Sequence, residues 1–428
     1  MRILDLMTTP SAAGQLAARR WESNREIEER VRQILDLVRE GGDVALIEFT
    51  RKFDSQEIEN VGLRVSNREL NQARRIVDRA FVKSLNLARK NIIRYHRRQR
   101  LSSWTLQADG IRLGHRVRPL QRVGIYVPGG KAAYPSTVLM NAIPASIAGV
   151  PEIVIATPCG KDGTIRSEVL LAAQLCGVKE IYRIGGAQAI AALAFGTESI
   201  RPVDKITGPG NAYVAAAKRL VFGKVGIDMI AGPTEVVIVA DDSANPTFVA
   251  ADMIAQAEHD ELASPILITT DANLIQAVDK ELKAQLENAP RREIAGKAIE
   301  NCGALVLVPS LDEAVRLVNE LAPEHLELQI RRPSRLVARV KNAGSIFVGE
   351  WSTEALGDYV VGTNHTLPTM STARFSSALS VFDFLHFTNV IEVTEKRFRA
   401  LAPHVEVLAK AEGLFGHAAS VSMRRKKP

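Results

Sequence analysis

Residues Arg122–Gly130 have the sequence RVGIYVPGG, a short apolar run that ends in a Pro-Gly-Gly turn. An apolar run of this length, bounded by turn residues, predicts a buried strand over Arg122–Val127. Downstream of it the order strand, turn and helix repeats along the chain. Apolar strands that alternate with helices are typical of a mostly parallel sheet with helices on both faces. The sequence therefore predicts an α/β fold.

Two series of alternating elements follow this pattern. The first has predicted strands at Arg122–Val127, Ile153–Ala156, Ile181–Ile184, Lys205–Ile206 and Val236–Ala240, with helices over 137–148, 165–176, 187–195 and 212–222. The second has predicted strands at Ile266–Thr269, Ala304–Val308, His325–Gln329 and Ser345–Val348, with helices over 273–287, 311–321 and 333–341. Outside the two series, the apolar spacing predicts helices over 23–52 and 67–99, an extended segment over 104–118 and a helical C-terminal stretch over 382–420.

Three predicted turns of the first series are rich in glycine and lie where strands end. They span Val127–Gly130, Gly185–Gln188 and Thr207–Asn211. Glycine lets backbone N–H groups come close to a phosphate at a helix start, so these turns suit a nucleotide at the carboxyl edge of the sheet. The complete G-x-G-x-x-G fingerprint is missing, because Tyr213 stands where the third glycine would be. Turns that serve packing alone are the alternative, and the identity of a cofactor does not follow from the pattern.

A polar cluster, Gln256-Ala257-Glu258-His259, ends the helix predicted over 248–259. Gln256 and His259 are three residues apart and share one helical face, so their side chains can converge on one point. A neutral imidazole and an amide oxygen can together hold a divalent cation, although amide ligands are unusual for zinc. Taken alone, His259 has the alternative role of a surface or capping histidine.

An acid and an imidazole stand side by side directly before a predicted strand, at Glu324 and His325. Oxidation of an alcohol or an aldehyde needs such groups, because a proton must leave as hydride departs. Adjacent residues point in different directions, so the two would serve neighbouring positions of one site. The alternative is a helix-to-strand turn in which Pro323 stops the helix.

Further polar residues lie at the ends of other elements. Asp358 falls in a predicted Gly-rich loop beyond a strand, and Glu412 and His417 lie near the C-terminal end of the last helical stretch. Together, Gln256, His259, Asp358 and His417 would make a mixed nitrogen and oxygen site suited to zinc or a similar ion. The spacing alone does not show that these side chains meet.

Length, composition and cysteine content limit the class of protein. The 428 residues are 46% hydrophobic and 24% charged, as in ordinary globular proteins, and contain no apolar run as long as a membrane span. Cys159, Cys176 and Cys302 are too few and too scattered for a disulfide framework. The stretch Met1–Asp5 carries an acid where a signal peptide would have an apolar core. We therefore expect a cytoplasmic protein without a membrane partner.

The net charge of +7 is concentrated between Arg74 and Arg100 and in the tail Arg424–Lys427. Nucleic-acid binding is one interpretation of such a basic stretch. The stretch also has an apolar side, and no aromatic-interleaved patch or nucleic-acid motif accompanies the charge. We therefore expect a solvated helix face that attracts anionic substrates, and no nucleic-acid partner.

Seven short motifs in one order carry a resemblance to a known family. They are GIYVPGG at 124–130, GGAQA at 185–189, GPGNA at 208–212, AGPTE at 231–235, QAEH at 256–259, PEHL at 323–326 and GDY at 357–359. Together with AEGL at 411–414, which precedes His417, they resemble histidinol dehydrogenase. The likeness covers nearly the whole chain, and many motifs in register are far more specific than any one of them.

The resemblance implies an activity and a set of site residues. Family members oxidise L-histidinol through L-histidinal to L-histidine, a reaction of histidine biosynthesis, with zinc and two successive hydride transfers to NAD. The residues that would bind zinc are Gln256, His259, Asp358 and His417, and the catalytic acid–base residues would be Glu324 and His325. The implied substrate contacts are Thr234, Gln256, His259, His325, Asp358, Glu412 and His417, and the implied NAD contacts are Tyr126, Gln188 and Asn211.

The resemblance also implies a domain organisation with two incomplete Rossmann-like parallel-sheet domains. An N-terminal helical segment (1–22) would precede a first domain (23–125 with 240–378) that carries the zinc ligands and the Glu-His pair. A second domain (126–239), inserted into the first, would bind NAD. A C-terminal helical segment (379–428) would mediate a homodimer and complete the partner's site.

The mapped residues suggest a hypothesis for the reaction. His325 would take the hydroxyl proton in the first oxidation, and Glu324 would activate a water for the second. A thiohemiacetal at Cys159 or Cys176 is the rival route, but neither thiol lies in a polar cluster. Two other functions stay open: a related NAD- and zinc-dependent dehydrogenase of another small polar alcohol, such as a sulfonated diol, and a metal-dependent hydrolase or binding protein that uses no NAD.

Overall fold

The computed structural model describes residues 1–9, 11, 14, 16, 25–129 and 133–425. The chain forms two compact units. The first unit contains Met1–Gln99 and Leu120–Phe384, and the second contains Arg100–Pro119 and the chain from Leu385 onward.

The strands of the described residues are, in chain order, β1 (Arg2–Asp5), β2 (Trp104–Ala108), β3 (Ile111–Pro119), β4 (Arg122–Tyr126), β5 (Glu152–Thr157), β6 (Glu180–Arg183), β7 (Lys205–Thr207), β8 (Gly226–Ile227), β9 (Glu235–Ala240), β10 (Ser264–Thr269), β11 (Ala304–Leu307), β12 (His325–Gln329), β13 (Ser345–Val348) and β14 (Leu385–Val393).

The α-helices of the described residues are α1 (Arg25–Phe53), α2 (Ile58–Val61), α3 (Asn67–Ile76), α4 (Arg79–His96), α5 (Pro135–Ala148), α6 (Ser167–Leu175), α7 (Gly186–Phe195), α8 (Ala212–Val221), α9 (Pro246–Ala257), α10 (Ala272–Glu287), α11 (Arg292–Asn301), α12 (Leu311–Leu321), α13 (Ser334–Val337), α14 (Glu354–Tyr359), α15 (Glu395–Ala411) and α16 (Phe415–Arg425). Among them, none combines the length and the apolar character that crossing a bilayer requires.

The larger sheet of the first unit has six strands in the order β1-β11-β10-β9-β12-β13, and every neighbouring pair is parallel. Its central strands are apolar on both faces. On β9, Val237 and Val239 pack with residues of α12, whereas Val236 and Ile238 pack with residues of α9 and α10. Helices therefore cover both faces, which is why these strands are continuous apolar runs in the sequence.

The second sheet of the first unit has five parallel strands in the order β6-β5-β4-β7-β8. Strand β4, from which the sequence analysis started, is buried along its whole length. Residues of α1, α7 and α8 pack on one face of this sheet, and residues of α4, α5 and α6 pack on the other. Two parallel sheets with helices on both faces confirm the predicted α/β fold.

Two predicted helical segments are wrong in part. The segment predicted as helical over 1–22 begins with β1, which extends the six-stranded sheet by pairing with β11, and most of its later residues lie outside the described ones. The stretch predicted as helical over 382–420 begins with β14. The sequence of β14 is rich in β-branched and aromatic residues, which favour a strand when a partner strand is present.

The helix predicted over 67–99 is also divided, into α3 and α4. The break lies at Val77 and Asp78, where the Asp78 carboxylate accepts hydrogen bonds from the backbone N–H groups of Ala80 and Phe81. An aspartate in this position starts a new helix by satisfying N–H groups that the preceding turn cannot satisfy.

The second unit is built on an antiparallel sheet with the order β14-β3-β2. A two-residue turn, Asp109-Gly110, joins β2 to β3 with φ angles of 51° and 78°, as a type I′ hairpin requires. The rings of Trp104, His115 and Phe387 stack across the three strands, with centroids 5.4 and 4.9 Å apart. The hairpin at 100–119 was expected in the first Rossmann-like domain. The predicted division of the first unit at residues 125 and 240 stays a prediction.

A buried ion pair holds the turn that follows β7. Lys218 on α8 and Asp228 have only 2% and 1% of their side chains exposed. The Lys218 ammonium also donates to the Gly208 carbonyl oxygen at 2.9 Å, and the Asp228 carboxylate accepts from the Gly208 N–H at 2.8 Å. Gly208 has a φ of 109°, and a Cβ there would collide with the carbonyl oxygen of Tyr126. The ion pair therefore fixes a turn that only glycine can form.

We expect Lys218→Met to lower the free energy of unfolding by about 3 kcal/mol or more, because it leaves the Asp228 carboxylate buried without its cation. Urea unfolding would measure the change. Lys297→Met is the matched control, since Lys297 pairs with Glu261 at the surface with 59% of its side chain exposed, and it should have a much smaller effect. Equal effects of the two substitutions would contradict the structural role of the buried pair.

Candidate active site and metal centre

Thr234 and Glu324 directly precede the neighbouring strands β9 and β12, which are parallel with Val236 opposite His325. The hydroxyl oxygen of Thr234 is therefore only 2.5 Å from Glu324 Oε2, and the backbone N–H of Glu235 donates to the same oxygen at 3.0 Å. The Glu324 side chain is buried. The candidate site thus begins at the amino edge of the six-stranded sheet.

His325, the first residue of β12, has a defined tautomer. Its Nδ1 lies 3.1 Å from the carbonyl oxygen of Glu235, which can only accept, so Nδ1 is the nitrogen that carries the proton. Nε2 is then the basic nitrogen of the neutral ring. Among the described residues Nε2 has no hydrogen-bond partner, and Asp358 Oδ1 is 3.7 Å away. When the ring is neutral, Nε2 therefore has a lone pair available to a ligand in the site.

The amide of Gln256, at the end of α9, lies between Thr234 and Glu354 and is fully buried. With its nitrogen toward Glu354, the amide donates to Oε1 at 2.9 Å and to Oε2 at 2.5 Å, and its oxygen is 2.6 Å from the Thr234 hydroxyl. In that orientation the hydroxyl donates to the amide oxygen and can accept only from a protonated Glu324. With the amide nitrogen toward Thr234 instead, the nitrogen donates to the hydroxyl at 2.6 Å and the hydroxyl donates to Glu324. A continuous hydrogen-bonded chain therefore runs from Glu324 through Thr234 and Gln256 to Glu354.

A group of side chains that could hold a metal ion lies next to this hydrogen-bonded chain. His259, Glu354 and Asp358 each have a ligand atom within 4.8 Å of the others. His259 is exposed to solvent, whereas Glu354 is buried. One imidazole and two carboxylates are donors that zinc and similar ions accept. The structure thus brings together His259 and Asp358, two of the four predicted metal ligands, and adds Glu354, which the sequence analysis missed.

Carboxyl groups crowd around the His325 ring. Glu324 Oε2 and Glu354 Oε1 lie 3.6 and 3.9 Å from Nδ1. Burial lowers the pKa of His325, but attraction to Glu354, Glu324 and Asp358 outweighs it and holds that pKa well above its ordinary value. Burial raises the pKa of Glu354 and of Glu324, and the positive charge of His325 only partly offsets it. The site therefore has more buried carboxyl groups than cations.

Glu354 and Asp358 are four residues apart on α14 and so share one face of this short helix. The Gly-rich loop predicted here begins only after the helix. The backbone of Gly357 packs against the Phe347 ring on β13, where a Cβ would come within 2.6 Å of a ring carbon. His365 in the following loop has its Nδ1 3.1 Å from the Asp358 carbonyl oxygen. These contacts fix α14, and with it both carboxylates.

Two acids, the buried Glu327 and the half-buried Asp252, lie close to α14. Glu327 Oε1 accepts from the backbone N–H of Glu354 at 2.9 Å, and the Gln329 amide donates to Glu327 at 2.8 Å and to Asp252 at 2.9 Å. Burial and the neighbouring Asp252 carboxylate raise the pKa of Glu327 to about 8. The sequence carried a signal for this group, because residues 325, 327 and 329 of a strand share one face.

The three predicted NAD contacts lie at the carboxyl edge of the five-stranded sheet. Tyr126 ends β4, is buried, and accepts the backbone N–H of Gly186 at its hydroxyl at 3.0 Å. Gln188 is buried in the first turn of α7. Asn211 caps α8, because its side-chain oxygen accepts two backbone N–H groups of that helix. Contact of these side chains with NAD stays a prediction.

The last two predicted site residues lie in the second unit. Glu412 directly follows α15, and His417 lies in the first turns of α16. Both side chains are exposed to solvent. Their contacts with zinc and substrate stay predictions.

Comparisons with known proteins agree on one family. The sequence profile described as histidinol dehydrogenase matches residues 17–425. The chain is 50% identical to the histidinol dehydrogenase of Moorella thermoacetica over 420 residues, which cover 97% of this chain and 99% of that protein. The chain is 53% identical to the histidinol dehydrogenase of Synechococcus sp. over 399 residues, which cover 93% of this chain and 92% of that protein. The crystal structure of histidinol dehydrogenase from Elizabethkingia anophelis matches with a TM-score of 0.93 at 38% identity and covers 100% of this chain and 98% of that one.

We expect Glu327→Gln to change how stability depends on pH. The raised pKa of Glu327 means that its contribution to folding is complete below the ordinary carboxyl pKa and is lost as the pH rises to about 8. The variant should therefore gain about 1–3 kcal/mol of unfolding free energy relative to the original chain between pH 5 and pH 8.5, as measured by urea unfolding. Glu350→Gln, at an exposed position, serves as the control. A difference that did not vary with pH would refute this role of Glu327.

Proposed function

Because this chain belongs to the histidinol dehydrogenase family, it is an oxidoreductase, and we propose that it oxidises L-histidinol through L-histidinal to L-histidine in histidine biosynthesis. The observation that carries the proposal is the buried His325 ring, whose Nδ1 lies 3.6 Å from Glu324 and whose Nε2 lies 3.7 Å from Asp358, a member of the group of side chains that could hold a metal ion. The relatives are dehydrogenases, which disfavours a hydrolase or a binding protein, and none of the comparisons supports a sulfonated diol as substrate.

We propose zinc as the metal of this site. The donors of His259 and Asp358 suit it, and the excess of buried carboxyl groups around His325 is a negative charge that a divalent cation would offset. In the proposed site Gln256 and His417 complete the ligand set. Thr234 and Glu412 would contact the substrate beside them. When bound, zinc would hold nitrogen atoms of histidinol as a Lewis acid, and NAD would accept hydride from the carbinol carbon.

In the first oxidation, His325 removes the proton from the substrate hydroxyl. The Glu235 carbonyl oxygen keeps a proton on Nδ1, so Nε2 is the nitrogen that acts as the base when the ring is neutral. The neighbouring carboxyl groups strengthen this base, because they favour the protonated imidazole that forms.

In the second oxidation, Glu324 removes a proton from the water that attacks the aldehyde. Burial raises the pKa of Glu324, and a raised pKa makes a carboxylate a better base near neutral pH. The Thr234 hydroxyl and the Glu235 N–H hold one oxygen of Glu324 in place, which leaves the other to reach the water. The burial of Glu324 and His325 also helps to keep bulk water from a reactive amino aldehyde.

NAD would lie at the carboxyl edge of the five-stranded sheet, near Tyr126, Gln188 and Asn211. The family implies a cofactor of the NAD type. The tight turn at Gly208, held by Lys218 and Asp228, gives a backbone surface to which a dinucleotide can come close.

We also propose a homodimer in which the second unit of one chain completes the site of its partner. Large apolar side chains are exposed on this unit, among them Ile391, Val407, Leu408 and Phe415. A surface of this kind indicates contact with another protein surface. Glu412, a predicted substrate contact, and His417, a predicted zinc ligand, belong to the same unit and are exposed, so they are available to a neighbouring chain.

A cytoplasmic location and the absence of a nucleic-acid partner remain part of the proposal. Cys159, Cys176 and Cys302 all lie among the described residues and form no disulfide bond, as expected in a reducing compartment. On the basic helix α4, the apolar residues Leu85, Ala88 and Ile92 are buried, whereas Lys83, Lys90 and Arg94 are exposed. This arrangement supports a solvated charged face.

The proposed function is tested by following NADH absorbance after L-histidinol is added to the zinc-loaded chain with NAD. We expect two NADH for each histidinol consumed, and no NADH from a sulfonated diol. Formation of no NADH, or of a single equivalent with release of the aldehyde, would contradict the proposal.

We expect Glu324→Gln to spare the first oxidation more than the second. The amide keeps the size of the side chain but cannot take a proton, so oxidation of added L-histidinal should fall by about 10²- to 10⁴-fold. Single-turnover measurements with each substrate would separate the two steps. Glu350→Gln is the control, and an equal loss of both oxidations would remove the role assigned to Glu324.

A further inference from the structure

We propose that the side chain of Glu235 is a positioning residue that holds Glu324, the proposed base of the second oxidation, in its place. This inference rests on the proposed function and concerns a side chain to which the family resemblance gave no role. The carboxylate of Glu235 acts on the backbone of Glu324, whereas the carbonyl oxygen of Glu235 acts on His325. The two proposed catalytic residues therefore depend on different parts of one neighbour.

Glu235 and Glu324 bind each other reciprocally. The backbone N–H of Glu235 donates to Glu324 Oε2 at 3.0 Å, and the backbone N–H of Glu324 donates to Glu235 Oε1 at 3.3 Å. The first bond holds the carboxylate of Glu324, and the second holds its backbone. A catalytic side chain keeps its geometry when bonds from supporting residues fix it in this way.

The same oxygen of Glu235 also holds a strained turn. Oε1 accepts a hydrogen bond from the backbone N–H of Met370 at 3.0 Å. Met370 and Ser371 have φ angles of 53° and 62°, a region that residues other than glycine seldom adopt. Such a conformation persists only where the surrounding structure holds it, and it is common at functional sites. The Glu235 carboxylate therefore joins this turn to the backbone of Glu324.

Close backbone packing keeps the turn next to Glu235. The backbone N–H of Gly232 donates to the Thr369 hydroxyl oxygen at 2.6 Å, and a Cβ at Gly232 would collide with the Met370 side chain. The Ser371 hydroxyl donates to the carbonyl oxygen of Leu321 at 2.7 Å. The turn is thus held from two sides, and its Met370 N–H remains directed at Glu235.

Removal of the Glu235 side chain would leave the N–H groups of Glu324 and Met370 without this acceptor. Backbone N–H groups in folded proteins are almost always paired, so we expect the backbone at Glu324 to shift. A displacement of about 1 Å can slow a catalysed step by about 100-fold. His325 should be much less affected, because its Nδ1 is bound by the backbone carbonyl oxygen of residue 235, which every substitution retains.

Single-turnover rates of the zinc- and NAD-loaded full chain test this difference. We expect Glu235→Ala to slow oxidation of added L-histidinal by about 10- to 100-fold and that of L-histidinol by less than about 3-fold. Glu235→Gln can place its amide oxygen where Oε1 lies, so both rates should stay close to those of the original chain. Glu350→Ala, at an exposed position, is the control. An equal loss of both oxidations in Glu235→Ala, no loss in either, or a loss in Glu235→Gln as large as in Glu235→Ala would overturn the proposal.

Amide hydrogen exchange of the N–H groups of Glu324 and Met370 provides a second readout that needs no turnover. Glu235→Ala should speed both exchange rates by about tenfold or more, and Glu235→Gln should leave them nearly unchanged. Unchanged exchange in Glu235→Ala would overturn the positioning role, whereas an original chain that forms no NADH would overturn the proposed function, so the two failures are distinguishable. Circular dichroism verifies that each variant is folded. If Glu235→Ala does not fold, Glu235→Asp, whose carboxylate is one methylene shorter, takes its place in both experiments.

Discussion

The register between β9 and β12 is the constraint on which the proposed catalytic pair, Glu324 and His325, depends. Because Val236 lies opposite His325, the residues that precede the two strands meet, and the carbonyl oxygen of Glu235 reaches the imidazole. A shift of one residue would turn His325 toward the opposite face of the sheet, where Leu326 now packs in the core. The apolar side chains of these strands therefore determine the chemistry, since their burial fixes the register.

The site also brings several buried carboxyl groups together around one imidazole, that of His325. Backbone N–H groups donate hydrogen bonds to two of these carboxylates, from Glu235 to Glu324 and from Glu354 to Glu327. Hydrogen bonds of this kind stabilise a buried carboxylate but do not neutralise it. Replacing these buried carboxyl groups with apolar side chains would therefore make the fold more stable. Sites that carry reactive groups commonly lower the stability of the fold in this way.

The parallel sheets and the Glu324-His325 pair could be predicted from the sequence, because continuous apolar runs and adjacent polar residues are local signals. Strand β14 was mistaken for a helix, since its partner β3 is distant in the chain, although the Asp109-Gly110 turn marked the hairpin that it joins. Glu354 was missed because α14 has only six residues, too few for a periodic pattern. No local pattern could specify what Glu412 and His417 contact, because they belong to a separate unit.

The sheet of the second unit can be completed only late in the synthesis of the chain on the ribosome. Arg112 on β3 and Glu392 on β14 form an ion pair although 280 residues separate them in the chain. At about 5–20 residues per second, a ribosome would need tens of seconds to extend the nascent chain from the hairpin to its third strand. During this interval the free edge of β3 is open to pairing with other chains. The late synthesis of β14 therefore leaves the hairpin with an unpaired strand edge until almost the whole chain has been made.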